Sequence, residues 1–86
     1  MNKKQQRTLK ALFARPVATN LVWREIESLL VALGAELREG KGSRLRCLLH
    51  GRAAVFHRPH PRPTVDKGMV ESIRRFLEEA GVGLPE

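Results

Sequence analysis

The sequence predicts an α+β domain: a three-stranded antiparallel sheet, covered on one face by two helices, with a further short helix in front. Three observations carry this. Apolar residues recur with helical period over about residues 21–33 and 67–80, and with period two between them. Gly34, Gly40, Gly42, Gly51 and the prolines at 59, 61 and 63 stand where the period changes. A length of 86 residues with 42% apolar content suffices for one modest core and no more.

Residues 3–14 predict the first helix, with Leu9, Leu12 and Phe13 at helical spacing behind Lys3, Lys4, Gln5, Gln6 and Arg7. Arg15-Pro16 ends it, because the residue before a proline avoids the α region. "PVATN" is a connector in which Thr19 or Asn20 is placed to cap the next helix. That helix, about 21–33, carries an apolar stripe of Val22, Trp23, Ile26, Leu29, Leu30 and Leu33, with Arg24, Glu25, Glu27 and Ser28 opposite. Gly34 follows where a left-handed residue usually ends a helix.

"AELRE", "SRLRCLL" and "RAAVFH" then alternate or are short and β-prone, separated by "GKG" and "HG". If His50-Gly51 is a two-residue turn, Leu49 faces Arg52 and the pairing of the last two strands is fixed. Leu45 opposite Phe56 and Cys47 opposite Ala54 then share the core face. Arg44 opposite His57, Arg46 opposite Val55 and Leu48 opposite Ala53 share the open one. The last helix, about 67–80, has Met69, Val70, Ile73, Phe76 and Leu77 as its stripe. Glu71, Arg74, Arg75, Glu78 and Glu79 are expected in solvent, and Gly81 is the stop. The organisation expected is an N-terminal helical extension over 1–20 and one folded domain over 21–83.

A net charge of +7 and a pI near 10.8 favour polyanionic partners. Lone Cys47 forms no internal disulfide, falls on the core face as an inert thiol, and suits a reducing cytoplasm. The polar, basic "MNKKQQRTLK" has no apolar segment of a signal peptide. "LLVAL", the longest apolar run, is far too short to span a bilayer, so no membrane partner is expected. The richest chemistry lies in "HRPHPRP", residues 57–63, where prolines stiffen a stretch bearing His57, Arg58, His60 and Arg62. Two histidines without nearby carboxylates or thiols make a poor metal site, so no cofactor is expected. His50 reads as a turn residue, and Lys41 of "GKG" as a phosphate contact without the spacing of a P-loop.

Helix, three strands and helix, with "LVALGAELREGKGSRLRCLL" leading to "RPHPRPTVDKGMVESIRRFLEEAGV", resemble the HicA family of bacterial toxins over about residues 22–83. The motifs that carry the likeness are the helix ending in Gly34, Gly42-Ser43 opening the second strand, Pro59-His60-Pro61 after the third, and Lys67-Gly68 before the last helix. The resemblance implies an α-β-β-β-α core similar to the double-stranded-RNA-binding domain. It also implies an endoribonuclease that cleaves mRNA and is neutralised by a HicB-like antitoxin. In many members a histidine follows the Gly-Ser and carries catalysis; here that position is Arg44.

RNA cleavage without a metal needs a base for the ribose 2′-OH, an acid for the departing 5′-oxygen, and cations for the transition-state charge. Arg44 stays protonated and is no base. His57, directly across from it in the predicted register, is the expected proton carrier, with Arg44 and Arg46 on the scissile phosphate. His60 is the second proton carrier or a substrate contact. Lys41, Ser43, Arg46, Arg58, Arg62 and Lys67 are the expected RNA contacts. The alternatives are a non-catalytic double-stranded-RNA-binding-like domain, which needs the basic face but not the imidazoles, and a small module that recruits an acidic protein.

Overall fold

In the computed structural model, which describes residues 1–84, the element order is α1 (Lys3–Leu12), α2 (Trp23–Ala32), β1 (Glu36–Glu39), β2 (Arg44–Leu49), β3 (Arg52–His57) and α3 (Lys67–Glu79). The predicted α+β class is the one observed, and its open three-stranded sheet is consistent with a double-stranded-RNA-binding-like arrangement.

A capping box starts α1. The Asn2 side chain accepts the Gln5 N–H at 2.7 Å, and the Gln5 side chain accepts the Asn2 N–H at 2.8 Å. Its inner face buries Thr8, Leu9 and Leu12 against α2 and α3. The Gln5 amide also reaches Ser28 Oγ at 3.0 Å, and Lys4 pairs with Glu25 at 3.4 Å.

Neither Thr19 nor Asn20 caps α2, contrary to expectation. The N-cap is Val22, which offers no side-chain acceptor. One free donor of the first turn is met from a distance instead, as Trp23 N–H donates to the Pro63 carbonyl at 2.9 Å. Asn20 takes a left-handed φ of 65° in the connector. At the other end Gly34 (φ 97°) lets Ala35 N–H reach back to the Leu30 carbonyl at 2.9 Å and Gly34 N–H to Val31, a Schellman closure.

The strands run in the order β1-β2-β3, all antiparallel. The predicted β2–β3 register holds at every pair, from Arg44 opposite His57 to Leu49 opposite Arg52. His50 (φ 49°) and Gly51 (φ 80°) form the two-residue connection, whose positive φ values match the twist of the strands. Leu45, Cys47, Leu49 and Phe56 are buried on the helical side with Ile26, Leu29, Leu30, Val70, Ile73 and Leu77. Phe56 meets Trp23 and Phe76 edge-on, at centroid distances of 6.3 and 5.7 Å. His50 does more than turn the chain. Its Nδ1 lies 2.8 Å from the Ala80 carbonyl, so Nδ1 carries the proton and the hairpin tip tethers the end of α3.

Asp66 caps α3 by accepting the Met69 N–H at 2.8 Å. Arg74 departs from the expected solvated position and is only 9% exposed. It sits four residues after Val70 and three before Leu77, so its aliphatic stem joins the edge of the apolar stripe. Its Nη1 is buried without a hydrogen-bond partner among the described residues.

Candidate active site

The open side of the sheet is a consequence of alternation. Leu45 and Cys47 turn inward, so Arg44 and Arg46 turn outward, and His57 joins Arg44 across the ladder. All three are exposed, and neither Arg44 nor Arg46 makes an ion pair among the described residues. Ser43 Oγ lies 3.5 Å from His57 Nδ1, at the limit of hydrogen bonding. The row behind holds a residue the sequence reading missed: Arg38 of β1 lies directly across from Arg46. The signal for it was the β1–β2 register through the "GKG" turn. Glu36 holds Arg38 at 3.0 Å and offsets part of its charge.

At the edge of this face a groove of about 780 Å³ is lined by His57, His60, Arg62 and Lys67, together with Thr19, Asn20 and Asp66. The structure thus gathers both predicted proton carriers and two predicted cations around one opening. Three pins hold the segment between them. Arg58 N–H donates to the Ser43 carbonyl at 2.8 Å, Trp23 N–H to Pro63, and Val65 N–H to Leu21 at 2.9 Å. Val65 itself is buried in the core. His60 is therefore carried on a short exposed span with both ends fixed.

Arg58 is turned to other work. Its Nε donates to Glu27 at 2.6 Å and its Nη1 to both Glu39 oxygens. Glu27 also accepts the Trp23 indole N–H at 2.7 Å. The hydrogen bonds from Arg58 hold the Glu39 carboxyl below its ordinary value, and the two carboxylates keep the guanidinium protonated far into the alkaline range. Lys41 sits at the exposed tip of the β1–β2 turn, and Lys67 opens α3. Burial raises the Cys47 thiol to about 11, which keeps it from acting as a nucleophile at neutral pH. No group of three metal-binding side chains gathers among the described residues.

Helices on one side of a small antiparallel sheet, and a cationic, histidine-bearing surface on the other, make this an α+β domain whose arrangement is consistent with the double-stranded-RNA-binding-like class. A sequence model of the family described as HicA toxin of bacterial toxin–antitoxin systems matches residues 23–82, and the chain belongs to that family. It is a toxin of the toxin–antitoxin type, whose counterpart is an antitoxin. Comparison with curated proteins and with solved structures gives no match. No helix among the described residues is long and apolar enough to cross a membrane.

Proposed function

We propose that this toxin is a metal-independent endoribonuclease that cleaves mRNA and is neutralised by a HicB-like antitoxin. The observation that carries the reading is the pairing of His57 with Arg44 on the open face, beside the groove that also holds His60. In the reaction proposed, one imidazole takes the proton of a ribose 2′-OH, whose oxygen attacks the adjacent phosphorus. The bond to the 5′-oxygen breaks as the other imidazole returns a proton to it, leaving a 2′,3′-cyclic phosphate and a 5′-hydroxyl. Histidine serves both roles because its two forms are both available near neutral pH. Arg44 and Arg46 meet the extra negative charge on the phosphorane-like transition state with rigid, always-charged donors. Arg62, Lys67, Lys41 and Ser43 hold flanking backbone.

The test uses wild type, His57→Ala and His60→Ala, each induced in cells and each purified and incubated with mRNA in the presence of a chelator. Growth arrest and chelator-resistant cleavage by wild type, lost in at least one histidine variant that still melts cooperatively, are the expected results. A wild type that binds RNA and never cuts it identifies instead a non-catalytic RNA-binding domain, and the nuclease reading falls.

A further inference from the structure

The charge of this protein is unevenly placed. Residues 1–22 contain Lys3, Lys4, Arg7, Lys10 and Arg15 and no acidic residue, so +5 of the net +7 precedes the family-matched segment. We propose that α1 is a second RNA-binding surface, an anchor for the phosphate backbone, separate from the open face of the sheet.

Lys3, Arg7 and Lys10 are all exposed and fall within about 60° of one another around the helix, opposite buried Leu12. They form a stripe about 10 Å long. Folding asks for only part of this stripe: Lys10 lies in the last turn, where the helix dipole favours a cation, but Lys3 and Arg7 have no such support. Lys3 opens the helix at the positive end of its dipole, and no acid lies in the first turn to offset it. Lys3 with Arg7, and Arg7 with Lys10, are like charges at the spacings where helical neighbours repel. None of the three makes an ion pair among the described residues. Lys4 is the contrast: it points to Glu25 and fastens α1 to α2.

A protein partner fits this surface poorly, because the exposed side chains from Lys3 to Lys10 are Lys3, Lys4, Gln6, Arg7 and Lys10, with no apolar anchor among them. A linear polyanion needs only the charge. That the polyanion is RNA rests on the function proposed above. Because α1 packs on α2 and α3, the helical side of the sheet, the stripe and the open face are separate surfaces. A long transcript engages both, whereas a short oligonucleotide at the open face engages only one.

The test is the triple variant Lys3→Gln, Arg7→Gln and Lys10→Gln. Binding is measured by fluorescence anisotropy across a salt series, with 2′-O-methyl RNA of about 40 and about 6 nucleotides, lengths above and within the site of one small domain. This RNA has no free 2′-OH, so binding is read without cleavage. On the long RNA the variant is expected to bind more weakly, its log K against log salt slope shallower by about 2, corresponding to three phosphates. On the short RNA it should match wild type, and it should melt no lower. An unchanged slope on the long RNA overturns the proposal, as does an equal loss on both lengths. A clearly lowered melting point overturns it by giving the stripe a role in folding. Wild type that binds as expected here yet never cuts natural RNA refutes the nuclease reading and leaves the second surface intact.

Discussion

The two faces of the β2–β3 ladder are made by alternate residues of the same two strands, and they obey different constraints. On one face Leu45, Cys47, Leu49 and Phe56 are almost wholly excluded from solvent and share a core with three helices. On the other, Arg44, Arg46 and His57 project into solvent, with Arg38 set directly across from Arg46. The buried face is fixed by volume, since close packing leaves each side chain little alternative. The open face holds like charges opposite one another, an arrangement unfavourable in the free protein. The register that folding requires for the first face therefore delivers the second, and the residues on the second are free to answer to a ligand.

The largest effects separate these faces. Leu45→Ala leaves a cavity in a fully packed site and is expected to cost about 2–5 kcal/mol of stability by denaturant unfolding. For a domain this small that is a large part of the total. Its neighbour Arg44→Ala should change stability by no more than about 0.5 kcal/mol. Cleavage, however, should fall about 10²–10³-fold, as for loss of one donor to a transition-state anion. An Arg44→Ala protein that cuts RNA at the wild-type rate removes Arg44 from the site. One that unfolds as readily as Leu45→Ala shows that the faces are not separable.

The sequence displayed this division because its cause is local. His50-Gly51 fixes the turn, the turn fixes the register, and the register assigns every side chain of β2 and β3 to a face. What it did not display depends on residues far apart in the chain. The donor at the start of α2 is satisfied by Pro63, some forty residues on, so a nearby Asn or Thr was a misleading signal. Arg58 sits in the histidine- and arginine-bearing motif of residues 57–63 and reads as a phosphate contact. Its carboxylate partners, Glu27 and Glu39, come from α2 and β1. Arg74 looked solvated because helical periodicity places a charge at the edge of the stripe without telling how far its stem is covered.

Arg58 itself gives the intermediate effect. It lies between His57 and His60 in sequence, and its ion pairs join the end of the third strand to α2 through Glu27 and to β1 through Glu39. Arg58→Ala is expected to lower stability by about 1–2 kcal/mol, the pair with Glu27 being half-buried and the rest discounted for solvent. The pH dependence identifies the Glu39 partner. Since Glu39 titrates below its ordinary 4.5 in the folded protein, its share of stability is present above that value and is lost as pH falls through the depressed one. Wild type should therefore lose stability more steeply than Arg58→Ala as pH falls below about 4.5, followed by thermal unfolding. Identical acid limbs remove the Glu39 contact from the account.

The smallest expected effect tests how tightly the open face is aimed. Gly40 has no side chain where the chain turns from β1 into β2. A Cβ there would lie 3.1 Å from Arg44 Cβ and 3.4 Å from the Arg44 carbonyl oxygen. The Gly40 N–H already donates to that carbonyl at 2.9 Å, so the backbones cannot move apart without loosening the turn. Gly40→Ala must therefore displace Arg44 by a few tenths of an ångström, while the core face, held by Leu45 and its neighbours, stays put. Stability should change by no more than about 1 kcal/mol, because reduced freedom of the unfolded chain partly offsets the close contact. Cleavage should fall by less than in Arg44→Ala, with RNA affinity unchanged, since the charge remains and only its placement moves. A loss as deep as that of Arg44→Ala would mean that the site depends on the position of the guanidinium as strongly as on its presence. No loss at all would mean that the arginine acts as a mobile charge, and the division between the faces would then be one of sign rather than of geometry.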